Sequence, residues 1–315
     1  MRPQALRPTR VRRFYRGGAL LGRLRGVHEE DGYLPEDWLG STTPARNPGG
    51  AEAEEGLSRL SDGRLLRDVV AGDPTGWLGD AHVARFGSSA ALLVKLLDAA
   101  ERLPVHAHPD RAFASRELGS PFGKTEAWVV LDTRDDDARV WVGLREPVEP
   151  ERYLDWIVRQ DVDALLGSLN ELSVRPGDVI YVPGGVPHAI GAGILLAELQ
   201  EPTDFSLLCE WDGFPIRAED SHLGLGWERA LPMLDLGMHE PIHGLPPDAR
   251  AFFWADREPA APGRFAILLV LAGEGAVGGA PAGPGDAFAV PAAAGDLELE
   301  GELEALRCLA PDPES

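Results

Sequence analysis

At 315 residues, with 44% hydrophobic and 26% charged content, the chain is long enough for about two globular domains. A net charge of −21 argues against nucleic acid as a partner, because phosphate backbones need clustered Lys and Arg. No apolar run approaches the roughly 18 residues of a membrane span. The two cysteines, Cys209 and Cys308, lie far apart outside any C-x-x-C spacing, which fits a reducing cytoplasm.

Residues 1–25 carry eight arginines and no acid, yet no apolar segment of a secretory signal follows. The stretch reads as a solvated first strand and a turn at Gly17–Gly18. Residues 31–88 are loop-rich, with an extended piece at 38–43, a turn at 47–50, and a short amphipathic helix within 63–78. Residues 90–97 form an apolar run interrupted only by Lys95, the pattern of a buried strand.

The next stretch carries the chemistry. Residues 103–110 read L-P-V-H-A-H-P-D, and on a strand His106 and His108 project to one side. Glu126 opens the β-rich run at 127–132, and His188 ends V-P-G-G-V-P-H at 182–188. Three imidazoles and a carboxylate form a nitrogen–oxygen donor set for zinc, iron, manganese, cobalt or nickel, one ion per chain. The linked spacing is that of a cupin metal site.

Residues 135–137 read as a hairpin tip, 140–144 as a strand, and 150–169 as one or two helices. Strands follow at 172–174, 179–182 and 194–199. Many short strands punctuated by Gly and Pro predict a mainly β chain of jelly-roll architecture. A second β-module is expected over 250–315. There P-G-D-A-F-A-V-P at 284–291 copies P-G-D-V-I-Y-V-P at 176–183. The same register places Asp296 where the first copy has His188, and the second copy lacks an H-x-H. The expected organisation is a metal-binding cupin domain at 1–215, a linker at 216–249, and a metal-free, degenerate cupin-like domain at 250–315.

These motifs resemble the type I mannose-6-phosphate isomerases, a zinc-dependent two-cupin family. The resemblance rests on residues 92–100, 105–110, G-K-T-E at 123–126 and 177–191, within a match over most of 10–215. It implies metal ligands at His106, His108, Glu126 and His188, with His106 replacing the family's glutamine. It also implies a catalytic lysine at Lys124 and an E-x-Q-x-x-x-D segment at Glu198, Gln200 and Asp204, with Glu198 and Asp204 as catalytic carboxylates. The implied activity interconverts mannose 6-phosphate and fructose 6-phosphate, or a closely related sugar, through a metal-stabilised enediolate.

Leu208 stands where the family has a substrate-contacting arginine, and Pro104 where it has a serine. Lys95 and Arg16 are the candidate substrate-binding cations in compensation. An Fe-dependent cupin oxygenase and a non-catalytic sugar-binding cupin remain the alternative functions. The expected partner is a small sugar or sugar phosphate, with no nucleic acid and no membrane, in a monomer or homodimer.

Overall fold

The computed structural model describes residues 1–47, 50, 52–258, 263–295 and 297–315. Three antiparallel strands set its architecture: Glu126–Thr133, Ile194–Gln200 and Leu93–Ala99. They form the centre of a seven-stranded sheet, flanked by Val179–Val182 and Ile242–His243 on one side and by Glu36–Leu39 and Arg10–Val11 on the other. Both faces of this sheet are dry. Val94, Leu96, Ala127, Val129, Leu195, Ala197 and Leu199 pack into a core shared with Phe253, Phe265, Ile267 and Leu269 of the C-terminal module. The alternate residues Leu97, Ala99, Trp128, Val130, Ile194 and Leu196 face the barrel interior, against Val140, Val142, Ile180 and Ile190. A strand buried on both faces loses the polar half of its alternation, which explains the nearly unbroken apolar run at 90–97. The same two-residue period turns Lys95, Glu126 and Glu198 toward the barrel interior.

A five-stranded sheet closes the barrel in the order Leu207–Leu208, His106–Ala107, His188–Ile190, Arg139–Leu144 and Leu169–Ser173. Glu126–Thr133 and Arg139–Leu144 therefore lie in different sheets, and residues 134–138 cross between them. The hairpin expected at 135–137 is not formed, because each flanking strand pairs with partners distant in sequence.

The C-terminal module stacks a five-stranded sheet, Gln4–Ala5, Ala287–Val290, Ala266–Ala272, Glu304–Leu309 and Trp254–Asp256, on a three-stranded one, Ala280–Ala282, Gly275–Val277 and Leu299–Gly301. The repeat read in the sequence is also a repeat of hydrogen bonds. Asp178 Oδ2 accepts from Arg175 N at 2.9 Å, and Asp286 Oδ2 accepts from Gly283 N at 3.0 Å. Gly177 and Gly285 donate to Val130 O and Val270 O, both at 2.8 Å. Both glycines take φ values, 97° and 83°, that a side chain would strain. Asp296 lies outside the described residues.

The structure differs from the expected divisions at two places. Gln4–Ala5 pairs with Ala289 and Phe288, so the chain's first strand is an edge of the C-terminal sheet. Residues 216–249 are not a free linker. Ile242–His243 pairs with Tyr181 and Ile180, and Ala230, Met233 and Leu234 are buried against Tyr153 and Ile157. Helices occur as expected at Leu66–Gly72, Pro150–Arg159 and Val162–Ser168, and the one helix expected within 63–78 is two, the second at Pro74–Leu78. Helices not foreseen lie at Ala19–Leu24, Asp80–Phe86 and Arg111–Leu118. The last is capped by Asp110, whose carboxylate accepts from Phe113 N at 2.6 Å.

The shared core makes the modules energetically dependent. Removing residues 250–315 would strip Phe253, Phe265, Ile267 and Leu269 from the core that covers one face of the seven-stranded sheet. A chain of residues 1–249 is expected to lose cooperative thermal unfolding, measured by circular dichroism and calorimetry against the full chain. An undiminished sharp transition would contradict the shared core.

Candidate metal centre and active site

The loops that carry the predicted ligands meet at the backbone of Pro109 and Asp110. Gly185 N donates to His108 O at 2.6 Å, and Lys124 N donates to Pro109 O at 2.8 Å. A Cβ on Gly184 would lie 2.8 Å from Asp110 Cα, and one on Gly123 would lie 2.4 Å from Pro109 O. Glycine is thus required where P-G-G-V-P-H and G-K-T-E press on H-A-H-P-D. This contact, together with the His106–His188 and Leu208–His106 strand register, draws distant motifs into one place.

His106, His108 and His188 are buried, each with a ring nitrogen within 4.8 Å of the others'. Each Nδ1 faces a backbone carbonyl: Pro104 O at 2.8 Å, Phe205 O at 2.7 Å and Val186 O at 2.8 Å, respectively. Those bonds assign the proton to Nδ1 and leave the Nε2 lone pairs pointing inward. Nε2 of His106 and His188 are 3.0 Å apart, two acceptors that need a cation between or beside them. Burial, followed by neighbouring positive groups, depresses the pKa of His106 well below its ordinary value and also lowers that of His108. Burial takes His188 down to about 3, against a partial opposing effect of Glu126. Three neutral imidazoles with fixed tautomers are a donor set that fits a divalent metal.

Glu126 stands beside the triad, with its Oε2 3.2 Å from His108 Nε2 and its Oε1 3.4 Å from His188 Nε2. Trp128 Nε1 donates to Oε1 at 2.9 Å, and Lys124 Nζ donates to Oε2 at 2.6 Å. Burial works to raise the Glu126 pKa, but Lys124 and the imidazoles outweigh it and hold the carboxyl well below its usual range. Lys124 Nζ also lies 2.6 Å from His108 Nε2, so its ammonium bridges two of the predicted ligands.

A cavity of about 380 Å³ opens beside these groups. Its charges come as buried pairs. Lys95 Nζ lies 3.2 Å from Glu198 Oε1, and Lys124 Nζ 3.5 Å from the same oxygen. Arg13 grips Asp204 through Nη1 and Nη2, both at 3.1 Å, and its Nε lies 2.9 Å from Glu36. Tyr15 Oη and Trp38 Nε1 donate to Glu36 at 2.5 and 2.6 Å. For Asp204, burial opposes the charged form, but Arg13 and Lys95 overcome it and keep the pKa low. Burial likewise opposes the charge on Lys95, but Glu198, Glu36 and Asp204 raise its pKa above the ordinary value.

Of the residues singled out from sequence, Lys95, Lys124, Glu198, Asp204, His106 and His108 line the cavity, and Glu126 and His188 are buried directly beside it. Arg16 does not: it is exposed, with its guanidinium on Asp31 O. The cavity arginine of that segment is Arg13, which shares the buried side of the alternation with Val11 and Tyr15 while Arg12 and Arg16 face solvent. That parity was the available signal. Glu36 and Arg46 were also missed. Leu208 and Pro104 do line the wall, so the cavity surface there is apolar. Gln200 plays a local part: its Nε2 donates to Glu201 O and Thr203 O at 2.9 and 2.5 Å, holding the turn that presents Asp204.

Two outcomes follow from this geometry. Purified protein should carry about one metal ion per chain, by elemental analysis; His108→Ala should lose most of it, and full occupancy in that variant would contradict the ligand set. In metal-free protein the imidazoles are neutral when folded but titrate at about 6.5 when unfolded. The unfolded chain then binds more protons, so stability should fall as pH drops from about 6.5 toward about 3. Urea midpoints across that range test the sign, and a rising midpoint on acidification would refute it.

No family model matches the chain. A mannose-6-phosphate isomerase of Streptococcus mutans is 39% identical over 140 residues, 43% of this chain and 42% of that protein. The chain thus spans about two fifths of that curated relative's length in the match. In fold, the crystal structure of the Bacillus subtilis mannose 6-phosphate isomerase covers 98% of this chain and 99% of its own, with a TM-score of 0.76 and 22% identity. A mannose 6-phosphate isomerase bound with zinc and yttrium covers 99% of this chain and 100% of its own, with a TM-score of 0.71 and 17% identity. The resemblance read from the motifs is borne out: this chain is similar to the mannose-6-phosphate isomerases in sequence across part of its length and in fold across nearly all of it.

Proposed function

We propose that the chain is a metal-dependent aldose–ketose isomerase that interconverts mannose 6-phosphate and fructose 6-phosphate, with one zinc ion per chain. The observation that carries this reading is the convergence of three neutral imidazoles, Lys124 and Glu198 on one sugar-sized cavity. The names of the similar proteins support an isomerase over an oxygenase or a non-catalytic cupin.

The reaction moves a proton from C2 to C1 through an enediolate, while the C2 hydroxyl proton passes to the C1 oxygen and the carbonyl moves from C1 to C2. His106, His108 and His188, with Glu126 beside them, would hold the zinc ion, which when bound would supply positive charge to the sugar oxygen that becomes negative. Glu198 is the base: Lys95 fixes its Oε1, and its Oε2 carries no hydrogen bond among the described residues. That oxygen takes the proton from one carbon and returns it to the other. Lys124 donates hydrogen bonds toward the sugar oxygens, from a position already 2.6 Å from two ligand atoms. Asp204 is a positioning residue, since its carboxylate is fully engaged by Arg13 and by the Arg46 N–H at 2.7 Å. Lys95 likewise acts on Glu198, with its charge committed to carboxylates.

Glu198→Gln is expected to reduce kcat on mannose 6-phosphate by roughly 10²- to 10⁴-fold, the usual contribution of a positioned base, with metal content unchanged. Lys124→Ala should also slow turnover strongly. A coupled assay of fructose 6-phosphate formation measures both. Wild-type protein carrying zinc but inert on mannose 6-phosphate would defeat the isomerase reading.

A further inference from the structure

The cavity poses a charge problem. Its wall carries four cations, Arg13, Arg46, Lys95 and Lys124, and five carboxylates, Glu36, Glu198, Asp204, Glu219 and Asp220. Three of the cations are spent on buried carboxylates at 2.6 to 3.2 Å. At the mouth, Glu219 and Asp220 are matched by Arg217, with contacts of 2.8 Å to each. Where the family carries an arginine, Leu208 offers no donor. A phosphate dianion entering this cavity needs a cation that is not already neutralised.

Arg46 is that cation. Among the described residues its guanidinium makes no ion pair and donates no hydrogen bond. It lies over the Phe205 ring, with Cζ 4.7 Å from the centroid. A contact with a ring face leaves the guanidinium N–H groups available to phosphate oxygens, which a guanidinium can grip in a bidentate way. The site is also anchored from behind. The Arg46 backbone N–H donates to Asp204 at 2.7 Å, and Arg46 O accepts from Arg13 at 2.9 Å. Phe205, the stacking platform, gives its carbonyl to His108 Nδ1. One residue therefore links the guanidinium to the His108 imidazole.

We propose that Arg46 binds the phosphate of the substrate and supplies from another strand connection the charge absent at Leu208. This rests on the isomerase reading and names the residue that selects a phosphorylated sugar for it. Arg46 is a specificity determinant and takes no part in proton transfer.

The test compares wild type, Arg46→Ala and Arg46→Lys on mannose 6-phosphate and on mannose. Affinity for glucitol 6-phosphate, a sugar phosphate that cannot isomerise, is measured by calorimetry on the zinc-loaded proteins. Arg46→Ala should lose roughly 10- to 100-fold in kcat/KM for mannose 6-phosphate, chiefly through KM, as for removal of a charge-assisted contact. Glucitol 6-phosphate binding should weaken by a similar factor, Arg46→Lys should recover part of both, and rates on mannose should be unchanged. An Arg46→Ala protein with wild-type KM and wild-type glucitol 6-phosphate affinity would overturn the proposal while leaving the isomerase intact. Equal losses on both sugars would also overturn it, because the residue would then not be reading phosphate. Wild type that binds glucitol 6-phosphate through Arg46 but turns over neither sugar would overturn the isomerase reading alone.

Discussion

The structure depends on a sheet that is dry on both sides. A strand can present two faces only, and here one face is pledged to the neighbouring module and the other to the barrel interior. Every polar side chain on the interior face is therefore buried and has to find its partner there. Lys95, Glu126 and Glu198 obey that constraint by pairing with one another and with charges brought from other strands. Ion pairs in such a setting add little net stability, because the cost of desolvation offsets the attraction. Their value is geometric: each charge fixes the position of the next.

The result is an alternating chain of charges from Glu36 through Arg13, Asp204, Lys95 and Glu198 to Lys124 and Glu126, ending on the imidazoles. Breaking one member strands its neighbours as uncompensated buried charges, so the cavity behaves as a unit. The imidazoles are oriented in a different way. Their Nδ1 bonds to backbone carbonyls depend on the loops alone, which glycines at 123 and 184 hold against Pro109 and Asp110. Ligand orientation is thus set by backbone packing, and charge placement by side-chain pairing.

The three-histidine cluster was legible in the sequence because each histidine sits inside one short segment whose spacing survives without the fold. The duplicated P-G-D turn was legible for the same reason, and its hydrogen bonds repeat atom for atom. What escaped was carried by long-range pairing. Arg10–Val11 and Gln4–Ala5 are two-residue strands, too short for any periodicity to announce. They nevertheless bring Arg13 into the cavity and stitch the amino terminus to the C-terminal sheet. Lys95, read as the one break in an apolar run, and Lys124, read from G-K-T-E, are both cavity groups. The choice of Arg16 over Arg13 missed the parity with Val11 and Tyr15. Arg46 lies in a stretch that reads as loop, and nothing in its neighbours marks it until Phe205 and Asp204 arrive from far along the chain.

The account stands on the claim that the barrel interior, through three fixed imidazoles, is a metal site. The most direct measurement is anomalous diffraction at the zinc edge from crystals of the protein grown with zinc. One peak is predicted, at about 2.0–2.1 Å from Nε2 of His106, His108 and His188. A peak at another place with none between these three nitrogens would contradict it.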